Sequence, residues 1–509
     1  MRLADYIASD PEGAVWDVVV VGTGAGGGPA GLRLARSGKS VLFLERNGAW
    51  ENTEPTSAEP RLLSIAGEVE YAGHSEDVYS TPHHAKCESE FQVGGGVGGT
   101  TTLFSMAMDR FQPADFAPYR FAHLAPDSTL PDVWPVQYEE LDSYYREAET
   151  LFRIRGSLDP ITPIRGELLD PLTPSETERS VFETLIRSKL HPYAMHYARE
   201  HLPECDGCHN KYCSRPCRNH AGRMCVIPAL VGHGARILTN CLVTRLKASG
   251  RIVRHAVCSW NGRTAIIRAR IFILALNALS TPALLLRSAN ESFPDGLGNS
   301  SGMIGRNLMT HVSDVLAVRM KGVEGAINGR LSNGVSINDF YFRDDIKLGN
   351  IHAHAADLSS SFEEMDPRSH PDKSAGTALF FTIVEDFPYA KNSVAPKPGT
   401  EADVCWSYRY PVELRKRSEM LVSAFSDAVA RWEVIAKQPS SSLNGAHACG
   451  TCRFGDDPKT SVLDRENRMH DLDNVYVLDA SFFPSSGGIQ PSLTIVANSL
   501  RASALIASR

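Results

Sequence analysis

The sequence lacks any long apolar run. No stretch of its 509 residues approaches the roughly 18 uninterrupted apolar residues that a membrane-spanning helix needs, so no membrane span is predicted. Residues 1–10 contain neither an apolar segment nor paired arginines, so no secretory signal is predicted and the cytoplasm is the expected compartment. Internal repeats and low-complexity tracts are also absent, which excludes repeat architectures and long linkers.

The chain has only a small excess of charge of one sign. Lys and Arg total 52 and Asp and Glu total 59, which gives a net charge of −7. This balance argues against a nucleic-acid partner and is compatible with a cationic substrate. The 11 cysteines are odd in number and do not suggest a disulfide framework. Hydrophobic residues make up 42% of the chain, and its length favours two interlocked domains.

A glycine signature near the N-terminus predicts a dinucleotide site. Residues 15–22 have the pattern of a buried parallel strand, residues 29–37 have helical periodicity, and residues 41–44 form a second buried strand. Glu45 follows that strand, where an acid can accept hydrogen bonds from ribose hydroxyls. The turn between the first strand and the helix reads G-x-G-x-x-G, which suits a pyrophosphate at the helix N-terminus. Its glycines are Gly22, Gly24 and Gly27. The alternative is a glycine-rich turn without a ligand.

Two further motifs accompany this signature. Residues 93–108 form a second segment of small residues, whose backbone can lie against a planar ring and a phosphate, although a flexible loop would have similar composition. Near the C-terminus, His447-Ala-Cys-Gly-Thr is followed by Gly487-Gly-Ile-Gln490-Pro. A histidine is suited to proton transfer because its ordinary pKa of about 6.5 lies near working pH.

In order and content, these motifs resemble the glucose–methanol–choline (GMC) family of flavin oxidoreductases. The resemblance is carried by residues 22–45, 94–108, 275–286, 302–308 and 461–509. It implies an α/β fold, with a Rossmann-like FAD-binding domain and an interleaved sheet-plus-helix substrate-binding domain. The implied FAD-binding domain comprises residues 14–110, 226–318 and 445–509, and the substrate-binding domain comprises residues 111–225 and 319–444. We expect the second part of the substrate-binding domain to be rich in sheet, with a helix near residues 411–437.

The resemblance also implies bound FAD. Some members attach flavin covalently through a histidine soon after the second glycine segment, but Leu103 occupies that position here, so non-covalent FAD is expected. The N-terminus of a helix at residues 492–508 would face the flavin and stabilise the anionic reduced ring. The residues expected to contact the cofactor are Gly22, Gly24, Gly27, Glu45, Gly98, Gly99, Thr100, Asp479 and Gln490.

The family's catalytic motif places His447 as the general base, with hydride passing to the flavin N5 atom. The alternative is a structural histidine held by hydrogen bonds. Gln490 stands where familiar members have Asn or His. An amide can orient a hydroxyl group but cannot take its proton, so Gln490 is expected to position the substrate while His447 works without a second base.

Five cysteines lie within residues 205–225. Four of them suit zinc or an iron–sulfur cluster, and some members of the family carry an iron–sulfur cluster beside FAD. Cysteines without a metal, or local disulfides in a long loop, explain the same spacing equally well. The proposed ligands are Cys205, Cys208, Cys213 and Cys217, with His209 and His220 as spare ligands.

The sequence therefore predicts FAD-dependent oxidation of an alcohol on a polar, sugar-like substrate, with oxygen or a protein as the electron acceptor. Residues 447–462 resemble bacterial flavoproteins that oxidise the 6′-hydroxyl of aminoglycoside precursors such as paromamine. The alternatives are a dehydrogenase that passes electrons through an iron–sulfur centre and a non-redox enzyme like the hydroxynitrile lyases. Several acids would suit a cationic aminosugar, although each is more typical of a solvated surface. They are Asp339, Asp344, Asp345, Glu363, Glu364 and Asp366.

Overall fold

A computed structural model describes most of the chain. The residues described are 3–48, 62–71, 86–200, 217–320, 331–343, 345–353, 376–430, 432–438 and 443–509. Helices and strands are numbered in chain order. The helices are α1 (Gly27–Arg36), α2 (Tyr138–Phe152), α3 (Glu176–Arg187), α4 (Ile227–His233), α5 (Ser280–Arg287), α6 (Val412–Ala428) and α7 (Ser492–Ala507).

The first sheet is a mainly parallel sheet, as the sequence predicts. Its strands are β1 (Val15–Val21), β2 (Val41–Leu44), β6 (Arg236–Leu238), β7 (Cys241–Ser249), β8 (Ile252–Trp260), β9 (Arg263–Leu274) and β21 (Val475–Val477). The parallel order is β6-β2-β1-β9, β21 also pairs with β9, and β8 and β7 extend the sheet in antiparallel pairs. The last four residues of β1 are buried valines, because helices and loops cover both faces of the sheet. The predicted strand–helix–strand unit is confirmed.

The second sheet is antiparallel and contains the His447 motif at the end of its strand β20. Its order is β19-β11-β16-β15-β12-β5, with β10 paired to both β16 and β20. The ranges are β5 (Tyr193–Ala194), β10 (Met309–Val312), β11 (Val315–Arg319), β12 (Val335–Ile337), β15 (Gly349–Ala353), β16 (Thr377–Glu385), β19 (Glu433–Gln438) and β20 (Leu443–Cys449). Helix α6 packs against β16, which buries its apolar stripe. The prediction of a sheet-rich region with a helix is confirmed in outline.

Two smaller sheets complete the strands of the described residues. One has the order β17-β18-β3-β4 and leads through β4 into the second glycine segment; the other is a two-stranded hairpin. The ranges are β3 (Leu62–Tyr71), β4 (Lys86–Gly94), β17 (Ser393–Pro396) and β18 (Val404–Tyr410), and, for the hairpin, β13 (Phe342–Arg343) and β14 (Ile346–Lys347). Strand β4 also contacts β20, so the glycine segment begins close to the catalytic motif.

The prediction of one helix near residues 411–437 is wrong at its C-terminal end. Helix α6 ends at Ala428, and residues 433–438 form β19, which pairs antiparallel with β11. This pairing extends the second sheet and overrides the local helical pattern. The predicted C-terminal helix is confirmed to within one residue, as α7. Within the described residues, no helix is both long and apolar enough to cross a membrane.

Two clusters of buried apolar side chains accompany the first and second sheets. Residues 14–110, 226–318 and 445–509 supply every strand of the first sheet, but residues 14–110 also contain β3 and β4, and residues 226–318 contain β10. The chain therefore crosses repeatedly between the sheets. The exact division into domains stays a prediction.

Candidate active site

A cavity of about 640 Å³ lies at the carboxyl ends of the parallel strands of the first sheet. Its wall joins segments that are far apart in the chain: the turn after β1, the end of β2, the second glycine segment, the residues after β9, and β20. Ligands of open α/β sheets bind at this edge, and the volume is typical of a small-molecule site. The predicted site residues in the wall are Gly22, Gly24, Glu45, Gly99, Thr100, His447, Asp479 and Gln490.

The turn after β1 requires glycine at two positions. Gly22 has a φ of +96°, and a Cβ atom there would lie 2.3 Å from the carbonyl oxygen of Ala275. At the start of α1, a Cβ atom on Gly27 would lie 2.0 Å from the carbonyl oxygen of Gly22. The helix N-terminus can therefore approach the turn directly, which leaves backbone N–H groups available to a phosphate. Gly27 acts through this packing, since it is not among the residues that line the cavity.

Thr23 connects Glu45 to the second glycine segment. Its hydroxyl donates to Glu45 Oε2 at 2.6 Å and accepts the backbone N–H of Gly98 at 3.0 Å. The Asn47 backbone N–H donates to Glu45 Oε1 at 3.1 Å. Burial raises the pKa of the Glu45 carboxyl, so further donors, such as ribose hydroxyls, would favour its charged form. Gly98 lies behind the cavity wall and holds the two glycine segments together.

His447 lies on β20 and is half-buried at the cavity wall. Its Nδ1 atom lies 2.9 Å from the Nδ1 atom of His311 on the paired strand β10, and the two rings meet edge to face. The pKa of His447 lies well below its ordinary value. Burial is the largest cause, and the neighbouring rings of His311 and His352 contribute less. His447 is therefore neutral at neutral pH, as a proton acceptor must be.

His311 is fully buried and connects His447 to the loop that precedes Gln490. Its Nε2 atom lies 2.9 Å from the carbonyl oxygen of Gly487 and 3.2 Å from that of Ser486. Burial lowers the pKa of His311 to about 4, so this ring is neutral as well. Two neutral imidazoles thus form a continuous chain from the cavity wall to the backbone of the loop.

The N–H groups of the same loop are also held. Gly487 donates to Glu385 Oε1 at 2.9 Å, and Gly488 donates to the hydroxyl of Tyr341 at 2.8 Å. Gln490 is only 5% exposed, and its side-chain Oε1 has no hydrogen-bond partner within the described part of the chain. A buried amide oxygen at the wall of a cavity is available to a ligand hydroxyl.

A buried ion cluster supports this loop from behind. Lys347 is fully buried; its Nζ lies 2.6 Å from Glu385 Oε2 and also pairs with Asp115. The hydroxyl of Tyr341 donates to Asp115 at 2.8 Å. Burial raises the pKa of Asp115, and the two carboxylates hold the pKa of Lys347 above its ordinary value despite burial. One cation shared by two acids makes the cluster a rigid support.

Asp479 binds backbone and hydroxyl groups around the cavity. It accepts the Asn277 N–H at 3.1 Å, the Thr281 hydroxyl at 2.5 Å and the Ser481 N–H at 2.9 Å. Burial raises its pKa against these hydrogen bonds. The carboxyl group thereby joins the segment after β9 to the segment after β21, and both segments line the cavity.

The predicted metal site falls largely on residues that are not described. Cys205, Cys208, Cys213 and His209 lie outside the described residues. Cys217 and Cys225 are buried, and burial raises the pKa of Cys225. No group of three or more metal-ligating side chains occurs in the part of the chain that is described. The metal site therefore stays a prediction.

The acids considered for a cationic substrate lie away from the cavity or outside the described residues. Asp339 accepts from the ring of His191 at 2.7 Å, and Asp345 is exposed; neither lines the cavity. The acids outside the described residues are Asp344, Glu363, Glu364 and Asp366.

Sequence reasoning missed the residues that support the loop. His311 follows the recognised motif at residues 302–308 by only three positions, so extending that motif would have found it. Lys347 and Asp115 carry no such signal, because their pairing is visible only once β14 packs against the segment before α2. Arg46 and Arg287 also line the cavity and were not anticipated.

Known proteins with similar sequences match almost the whole chain. Two family models, both described as GMC oxidoreductase, match residues 193–313 and 400–499. Paromamine 6′-oxidase of Streptomyces fradiae is 29% identical over 97% of this chain and 91% of that protein. The 6‴-hydroxyparomomycin C oxidase of Streptomyces lividus is 28% identical over 97% and 92%. The 2-methyl-1,2-propanediol dehydrogenase of Mycolicibacterium austroafricanum is 26% identical over 97% and 95%.

A solved structure shares the fold. Pyridoxine 4-oxidase from Mesorbium loti superimposes with a TM-score of 0.68 at 20% identity, and the match covers 97% of this chain and 99% of that one. The Rossmann-type sheet, the cavity at its edge and the histidine motif define an FAD-binding oxidoreductase. The chain thus carries both of the regions that the family models describe as GMC oxidoreductase, and the three relatives are named as two oxidases and a dehydrogenase.

The residues of the cavity fit the FAD that this family binds. Both glycine segments, a buried acid at the end of β2 and the N-terminus of α7 line a single cavity. A Cβ atom at Gly22 would meet backbone, which is the requirement of a turn that approaches a pyrophosphate. Gln490, whose amide oxygen has no hydrogen-bond partner among the described residues, also lines this cavity.

Proposed function

We propose that this GMC oxidoreductase uses non-covalent FAD to oxidise a hydroxyl group of an aminosugar in the cytoplasm. The observation that carries the proposal is the single cavity that joins both glycine segments to His447 and Gln490. The aminosugar class is supported by two relatives that are named for oxidising paromamine and a hydroxyparomomycin. A third relative, at similar identity, is named for a small diol, so a neutral diol is the informative competitor.

The cofactor would be held by residues from both ends of the chain. Gly22 and Gly24 and the N-terminus of α1 would hold the pyrophosphate, and Glu45 would accept the ribose hydroxyls. Gly99 and Thr100 would lie along the pyrophosphate and ring. When bound there, FAD supplies the two-electron acceptor for the hydride that leaves the carbinol carbon.

The protein's own groups handle the proton and the orientation of the substrate. The neutral imidazole of His447 takes the hydroxyl proton as the carbinol carbon loses hydride, and the CH–OH group becomes a carbonyl. Gln490 accepts or donates a hydrogen bond to that hydroxyl without titrating. The N-terminus of α7, at Pro491 and Ser492, brings partial positive charge to the cavity, where negative charge develops.

His447→Ala tests the proposal directly. We expect the variant to bind FAD normally but to reduce it at least about 100-fold more slowly when paromamine is mixed anaerobically with the holoenzyme, because general-base catalysis contributes at least that factor. Stopped-flow absorbance of the flavin is the measurement. His233→Ala, at an exposed histidine on α4, is the matched control. Flavin reduction in His447→Ala at the rate of this control would remove His447 from the mechanism.

Anaerobic titration of the holoenzyme with different alcohols tests the class of substrate. Flavin that bleaches with paromamine at lower concentrations than with 2-methyl-1,2-propanediol or glucose supports the aminosugar class. Preferential bleaching by the diol would contradict this class and leave the alcohol oxidation standing. If no alcohol bleaches the flavin, the oxidoreductase proposal fails and a lyase-type activity takes its place.

The second candidate function is a dehydrogenase that passes electrons onward through a metal centre. It is favoured by the four-cysteine spacing that begins at Cys205. Iron in the purified holoenzyme, with broad absorbance beyond the flavin bands, would support it. Zinc would make the site structural, and the absence of both metals would remove this candidate.

A further inference from the structure

We propose that His311 is a positioning residue that determines which nitrogen of His447 carries the proton. The inference rests on the proposed role of His447 and concerns a residue outside the family motif at residues 447–451. Three contacts hold the two rings: one Nδ1–Nδ1 contact of 2.9 Å and two contacts from His311 Nε2 to backbone oxygens.

The donor and acceptor in each of these hydrogen bonds follow from the buried end of the series, at the backbone of the loop. A carbonyl oxygen can only accept, so His311 Nε2, which contacts the carbonyl oxygens of Gly487 and Ser486, must carry the hydrogen. A neutral imidazole has one N–H group, so His311 Nδ1 is an acceptor. The hydrogen between the two rings therefore belongs to His447 Nδ1, and His447 Nε2 is left as the basic nitrogen.

The surroundings keep this arrangement neutral. His311 is fully buried and lies opposite Glu385 in the β10–β16 ladder, with Lys347 and Asp115 of the ion cluster acting on it from behind. His447 also faces His352 of β15. The positive charge of Lys347 and burial oppose protonation of His311, so His311 stays an acceptor towards His447 across the neutral range.

The same ring links the base to the loop that carries Gln490. A single imidazole accepts from His447 and donates to the carbonyl groups of Ser486 and Gly487, which lie four and three residues before Gln490. The buried side chain of His311 thus holds both groups that are proposed to contact the substrate hydroxyl: His447 directly, and Gln490 through its loop. Without His311, His447 could carry its proton on either nitrogen. The carbonyl groups of Ser486 and Gly487 would also lose their hydrogen-bond donor.

Three substitutions separate the two hydrogen bonds of His311. His311→Asn places an amide oxygen near the position of Nδ1 and can still accept from His447. His311→Gln places an amide N–H near the position of Nε2 and can still donate to the loop carbonyls, but offers His447 no acceptor. His311→Leu removes both bonds. His233→Leu, at the exposed histidine of α4, is the control for a histidine-to-leucine change.

We expect His311→Gln and His311→Leu to slow anaerobic flavin reduction at saturating substrate by about 10- to 100-fold, by analogy with the loss of groups that orient metal-binding histidines. His311→Asn should recover part of the rate. The affinity for substrate should change far less than the rate. In His311→Leu, the pH at which the reduction rate falls should move downward, because protonated His447 loses the acceptor for its Nδ1–H group while burial continues to disfavour its charge.

Nitrogen NMR of histidine-labelled holoenzyme gives a second readout that does not depend on turnover. The signals lost in His447→Ala should be those of a neutral ring protonated at Nδ1, and His311→Gln should convert them to another tautomer or to a mixture. The inference is overturned if the signals lost in His447→Ala report a proton on Nε2. It is also overturned if His311→Gln and His311→Leu reduce flavin at the control rate, or if all three variants lose rate equally with an unshifted pH profile.

The two proposals fail in different ways. If His447→Ala reduces flavin normally, the proposed function fails, whatever the His311 variants do. If His447→Ala loses the expected factor and His311→Leu does not, only the role of His311 fails.

Discussion

At the scale of single residues, the site divides its work between groups that can move a proton and groups that cannot. Gln490, at the cavity wall, carries an amide, and an amide does not titrate. In the proposed function the proton is therefore taken by His447, whose pKa burial holds well below its ordinary value. His311 supplies a second imidazole, but its ring nitrogens contact His447 and the backbone oxygens of Ser486 and Gly487.

Leu103 carries a prediction about the cofactor linkage. The structure places Leu103 in the cavity wall, and a leucine side chain has no nucleophilic atom that could bond to flavin. Precipitation of the holoenzyme with acid should therefore release all yellow colour into the supernatant, as measured by absorbance. Colour that stays with the protein pellet after washing would contradict non-covalent binding.

At the scale of elements, strand pairing brings the catalytic groups together. The β10–β20 pair sets His311 beside His447, although the residues are 136 positions apart. The turn from β1 into α1 places a helix N-terminus at the opposite side of the same cavity. Neither element makes a site alone, because each supplies only one part of the wall.

Gly27→Ala tests the junction of β1 and α1. Its new methyl group would lie 2.0 Å from the Gly22 carbonyl oxygen, which is backbone and cannot rotate away. We expect FAD affinity to fall by at least about tenfold, the effect of roughly 1.4 kcal/mol of misplaced binding contacts. Fluorescence titration of apoprotein with FAD measures it.

Gly232→Ala is the matched control for this prediction, since Gly232 is exposed on α4 and a Cβ atom there would meet no atom within 4 Å. Equal FAD affinities in the two variants would show that the close packing behind the turn is not needed for cofactor binding.

At the scale of the whole molecule, buried neutral histidines make stability depend on pH. Burial lowers the pKa of both His220 and His311 to about 4, and the pKa of His447 is lowered as well. In the unfolded chain, histidines protonate near pH 6.5. Below that pH the unfolded state binds protons that the folded state cannot, so stability falls as the pH drops from about 6.5 towards 4.

The measurement is the thermal unfolding midpoint of the holoenzyme between pH 7.5 and 4.5. We expect the midpoint to fall across this window and to fall less steeply in His311→Asn, which cannot contribute that proton difference. His233→Asn, at an exposed histidine, should keep the wild-type slope. A slope unchanged by His311→Asn would show that His311 is already charged in the folded protein.

Local patterns in the sequence predicted the strand–helix–strand unit, the glycine turns, the terminal helix and the histidine motif. These features depend on near neighbours: β-branched runs form buried strands, and glycines are required where the backbone turns sharply. The helix near residues 411–437 was predicted too long, because its last part pairs with a strand more than 100 residues earlier.

The sequence by itself thus predicted the type of cofactor domain and the family, and it marked His447 as the expected proton acceptor, since each of these depends on motifs of contiguous residues. Only the tertiary structure decided how that acceptor is oriented. His311, the ion cluster around Lys347 and the loop before Gln490 come from separate parts of the chain. Their contacts form only when β10, β14, β16 and β20 are packed together, and no local pattern records a contact between residues so far apart.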